Sequence, residues 1–130
     1  MARAYTIATA ALALGTSVKW LDNTMSHYRV AGVVQEKQGV ARRITVDALL
    51  TLSIVLLLTT ELGNTVPAAI EIAQKLIAAG GSLESSSGFK IALDLETFRN
   101  SLISRLEKAV EVAPLPRRGR PPKNTTGRLE

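Results

Sequence analysis

Cysteine is absent from the 130 residues, and histidine occurs once, as His27. Without thiols there is no disulfide framework and no thiolate metal site. One imidazole argues against a histidine-based metal centre and a conventional acid–base triad. Long hydrophobic runs are also missing. The most apolar stretch, residues 48–62 (ALLTLSIVLLLTTEL), is shorter than the roughly 20 residues a bilayer span needs. Thr51, Ser53, Thr59 and Thr60 interrupt it, which suits a buried helix. The opening MARAYTIATAALALGTS has the outline of a weak secretory signal, but its run is Ala/Thr-rich rather than Leu-rich. With no catalytic constellation in view, these absences point to a cytoplasmic protein that is not an enzyme and needs no cofactor or metal.

What the chain does have is basic charge, unevenly placed. Residues 1–43 carry six Lys/Arg against two acids, and residues 114–130 carry five against one. Residues 44–113 carry five against eight. Two basic blocks thus flank an acidic, apolar middle. That asymmetry suggests a polyanionic partner at the ends and packing or self-association between them.

Spacing predicts a mainly α fold with a little β. YTIATAALALG reads as a helix capped by Thr6 and stopped by Gly15, and TSVKWLDNTMSHY as a second helix capped by Thr16 or Ser17. Val18, Leu21 and Met25 are expected to face inward. Two short helices around a tight turn form a helix-turn-helix signature. Val30, Val33, Val34 and Val40, set between Gly32 and Gly39, suggest a small hairpin, or wing. Asp47 is the expected cap of a helix over 48–62 stopped by Gly63. Thr65 caps the next helix, with Pro67 in its first turn. Phe89, Ile91, Leu93 and Leu95 alternate with polar or small residues, a strand period, in a hairpin that precedes a last helix over about 96–111. From Pro114 the composition predicts a disordered basic tail. The expected organisation is 1–79 as a winged helix-turn-helix domain, 80–113 as a β-hairpin plus helix that could serve dimerisation, and 114–130 as the tail.

The order helix, tight turn, helix, wing and paired helices resembles the DNA-binding domain of the mercury-resistance (MerR-type) regulators. YTIATAALALGTSVKWLDN, QGVARRIT and DALLTLSIVLLLTTELGNTVPAAIEIAQKL carry the resemblance, over about residues 5–77. It implies that the second helix enters the major groove. Ser17 and Lys19 would lie near phosphate and base edges, and Arg42 and Arg43 would grip the backbone. The chain departs from the family at Asp22, where a base is usual. Its aromatics Trp20 and Tyr28 stand at other places, and it lacks the long dimerising helix and an effector cysteine.

Residue chemistry gives candidates independently. Lys19 can reach guanine or phosphate, and Asn23 can read adenine bidentately. Both could equally line a solvated face. Trp20 suits packing or base contact, and His27 and Tyr28 a helix end or phosphate contact. Arg42 and Arg43 follow a glycine turn, where they could meet phosphate or defend an edge strand. Arg117, Arg118, Arg120 and Lys123 lie in RRGRPPK, whose Arg-Gly-Arg-Pro core is that of an AT-hook or a generic basic tail. The apolar 48–62 helix could be sandwiched in one chain or covered by a second copy. The resulting expectation is a double-stranded-DNA-binding transcriptional regulator, a nucleoid-associated homodimer whose small-molecule effector is unspecified. The alternative is a protein-interaction module, such as an antitoxin or adaptor, with secondary DNA binding.

Overall fold

The computed structural model describes residues 4–34 and 43–112. Among them the chain is mainly α with small β: five helices and two small antiparallel sheets. The first sheet joins β1 (Ala4–Tyr5), β3 (Arg43–Thr45) and β2 (Val33–Val34), with β3 in the middle. Tyr5 and Val33 both stand opposite Ile44, which is fully buried.

α1 (Ile7–Leu14) starts where Thr6 turns its hydroxyl back to accept the Thr9 N–H. It stops at Gly15, whose φ of 73° is left-handed and cheap only for glycine. α2 (Val18–His27) follows after three residues, so the chain reverses tightly between the helices. Ser17, not Thr16, caps it. The inward stripe is Leu21, Thr24 and Met25. Val18, expected inward, is 45% exposed at the first helical position. Thr24 takes the buried place instead, because its hydroxyl donates to the Trp20 carbonyl at 2.8 Å and leaves no polar group unmet.

α3 (Val46–Leu62) is capped by Thr45, whose Oγ1 accepts from the Ala48 N–H; Asp47 is not the cap. Asp47 sits in the first turn, where the helix dipole favours a carboxylate, and meets Arg99 at 3.1 Å. Buried residues run unbroken from Ala48 to Val55, with α1, α4, α5 and β3 packed around them. The helix that is apolar all round is therefore the centre of the chain's own core. Leu49, Leu50, Leu52 and Ile54 are essentially inaccessible, and each contributes about 1.5–3 kcal/mol by leaving water.

α4 (Val66–Ala78) begins after the Gly63 stop with Thr65 as its cap, as expected, and buries Ala69, Ile70, Ala73 and Leu76. The hairpin of β4 (Ser82–Glu84) and β5 (Lys90–Ala92) pairs Leu83 with Ile91. The period of two carries too far at both ends here. Phe89 lies in the turn before β5 and is 62% exposed. Asp94 is already the start of α5 (Leu95–Val112), its carboxylate accepting from both the N–H and the hydroxyl of Thr97. α5 packs on α1, and Leu102 and Leu106 enter the same core cluster as Leu21, Ile44 and Leu49.

Candidate nucleic-acid interface

α2 owes its place to two opposed sides. Leu21, Thr24 and Met25 hold one against the core. Lys19, Asp22, Asn23 and Ser26 share the opposite side and are exposed, as 3.6-residue spacing requires. At the N-terminus, the Ser17 oxygen accepts the Trp20 N–H at 3.0 Å. The hydroxyl proton of Ser17 still has donor capacity for an outside acceptor. The N-terminal end of α2 also carries the positive end of the helix dipole, a polarity that favours anions.

Along one edge of that exposed side, Trp20, Asn23, Thr24, His27 and Tyr28 line a shallow hollow of about 310 Å³. Three sequence candidates, Trp20, Asn23 and Tyr28, thus meet at one place. Trp20 is half-buried and packs on the core with part of its indole, leaving the rest at the rim. His27 Nδ1 lies 2.8 Å from the Asn23 carbonyl oxygen. A carbonyl only accepts, so Nδ1 carries the proton and Nε2 is left for an outside partner. Tyr28, whose N–H closes the helix on the Thr24 carbonyl, holds its ring 6.3 Å from the imidazole.

A second, larger hollow of about 650 Å³ continues from His27 and Tyr28 along residues 29–33. It brings in Arg29, an exposed cation that sequence reasoning passed over. Its signal was an isolated arginine between a helix end and a valine, too common to single out. Arg43 is exposed on β3, opposite Val34, on a different element from α2. Arg42, Arg117, Arg118, Arg120 and Lys123 lie outside the described residues.

The arrangement can donate hydrogen bonds from Lys19, Asn23, Arg29 and Arg43, and can offer aromatic edges from Trp20 and Tyr28. Among the described residues no cluster of His, Asp and Glu could hold a metal ion, and no helix is long and apolar enough to cross a membrane. No protein-family profile, no curated protein and no solved structure matches the chain.

Proposed function

We propose that the protein is a winged helix-turn-helix DNA-binding regulator that reads a duplex with α2, while β2 and β3 form the base of a wing. The observation that carries this reading is α2 itself. It is a helix fastened by its apolar side, capped at its N-terminus, and presenting Lys19 and Asn23 outward beside aromatic edges. Lysine and asparagine in that setting suit phosphate and base-edge contact. The element order β1, α1, α2, β2, β3, α3, α4 agrees with the resemblance to MerR-type regulators and supports the same assignment. Arg43 supplies a backbone contact from the wing, and the basic block at 117–123 a further anchor on minor groove or phosphate. Arg29 joins the phosphate-facing set from the loop after α2.

Selection of binding sites from random duplexes, followed by titration against salt, tests the proposal. Arg43→Ala should weaken binding to every duplex and lower the log–log salt slope by about one unit. Asn23→Ala should instead relax preference at one base position, costing about 1–3 kcal/mol on the preferred site only. No duplex binding by the unaltered chain would end the proposal. Unchanged slope and preference in both variants would move the interface away from α2 and β3.

A further inference from the structure

Asp22 belongs to the outward side of α2, and the proposed function leaves it unused. The helical repeat sets Lys19, Asp22, Asn23 and Ser26 on that side, all exposed, with Leu21, Thr24 and Met25 turned to the core. Asp22 stands three residues after Lys19 and four before Ser26, the spacings at which side chains on a helix are neighbours. The carboxylate is therefore part of the reading side itself.

An acid held against phosphate costs affinity, so Asp22 is a handicap if α2 only grips the backbone. The charge of the helix argues for another task. With His27 counted neutral, Lys19 and Asp22 are the only formal charges between Val18 and His27, and they cancel. Attraction to the backbone then falls to cations outside α2, such as the exposed Arg29 and Arg43. A neutral helix that offers an ammonium, a carboxylate, an amide and a hydroxyl is equipped for base edges.

The chemistry of the carboxylate names the base. A carboxylate accepts hydrogen bonds and donates none. In the major groove guanine offers acceptors, thymine an acceptor and a methyl group, and adenine an acceptor beside its amino group. Cytosine presents an amino donor and no acceptor of its own. We propose that Asp22 is a specificity-determining residue. It accepts a hydrogen bond from the N4 amino group of a cytosine next to the base that Asn23 reads, and its charge disfavours phosphates and the other bases. The inference rests on the DNA-binding reading and adds to it the base that the acid selects. The carboxylate has about four acceptor positions, so a bond within the chain leaves room for the cytosine.

Selection by one short acidic arm requires a backbone that stays in place. Ser17 caps the start of α2, and Leu21, next to Asp22, is fully buried. The end of α1, just before the turn into α2, is tied to α5 as well, because Arg105 Nη1 donates to the Ala13 carbonyl at 3.0 Å.

Binding-site selection from random duplexes tests the proposal in three forms of the chain: unaltered, Asp22→Ala and Asp22→Asn. Titration of a non-selected duplex and thermal unfolding accompany it. The unaltered chain should select a cytosine at one position. Asp22→Ala should lose that preference, worth about tenfold, and should bind the non-selected duplex a few-fold tighter. Asp22→Asn can both donate and accept, so the preference at the same position should move from cytosine to adenine. Unchanged base preference in both variants overturns the role of Asp22 and leaves α2 as the reader through Asn23. A lowered unfolding midpoint with equal losses on every duplex, cytosine still being preferred, gives Asp22 a structural role and overturns the proposal too. No selected site for the unaltered chain overturns the DNA reading and this inference with it.

Discussion

Gly32 shows how much one missing Cβ can decide. Its φ of +94° lies in the region open mainly to glycine, and a Cβ there would collide with the Thr45 hydroxyl and press on Ala48. Thr45 is the residue that caps α3, and its N–H also bonds the Gly32 carbonyl at 3.1 Å. The loop leaving α2 is therefore seated directly on the start of the core helix. Gly32→Ala should destabilise the fold by at least about 1–2 kcal/mol from the backbone alone, and by more once the cap is displaced. Thermal unfolding checks this, and an unchanged midpoint would mean that the loop can relax away from α3. The glycine was visible in the sequence as a turn residue between valines. Its role against Thr45 was not, because that contact joins positions thirteen residues apart and no local pattern encodes it.

Asp94 makes a similar point for charge. The Thr97 N–H first, and then the Thr97 hydroxyl, hold its carboxyl below the ordinary value of 3.8. A depressed folded-state pKa contributes stability above the unfolded value, and that contribution is lost as pH falls through the lower folded value. The cap of α5 should thus weaken only in acid, below about pH 4. Asp94→Asn should flatten the acid limb of a plot of unfolding midpoint against pH and leave its neutral part nearly level. An acid limb identical in the variant would assign that limb to other carboxylates.

At the scale of elements, caps were the most readable feature and strand ends the least. Thr6, Gly15, Gly63 and Thr65 act where the sequence placed them, because capping needs only a side-chain oxygen or a left-handed residue at one position. Thr45 and Asp47 are both cap formers two residues apart. The strand pairing of Thr45 with Ala4 decides between them by ending β3 there. Phe89 misled for a related reason: alternation continues through a turn, whereas burial requires a partner strand, and the ladder begins only at Lys90. Of the site candidates, Trp20, Asn23 and Tyr28 could be grouped because one helix and its C-cap carry them. Arg29 and the bond from Arg105 to α1 could not, since the first depends on the path of a loop and the second on tertiary packing.

At the scale of the whole molecule, the question is how many copies are needed. A helix apolar on every side was the sequence argument for a homodimer. Burial of α3 by α1, α4, α5 and β3 answers that need within one chain. Of the large apolar side chains of α3, Leu62 stands out at 63% exposed, at the last helical position. The other exposed ones in the described residues are Leu12, Val18, Tyr28, Phe89, Ile103 and Val110, spread over four further segments. Single exposed apolar side chains are ordinary on a monomer's surface. Sedimentation equilibrium at low micromolar concentration should therefore report about the mass of one chain, 13.9 kDa. Twice that mass would restore the dimer and direct attention to Ile103 and Val110, which share one side of α5 at a spacing of seven. The result also bears on the operator. A two-fold dimer calls for half-sites about one helical turn apart, whereas a single chain calls for one site without internal symmetry. A selected site without internal symmetry would agree with the monomer, and a palindrome at that spacing would contradict it.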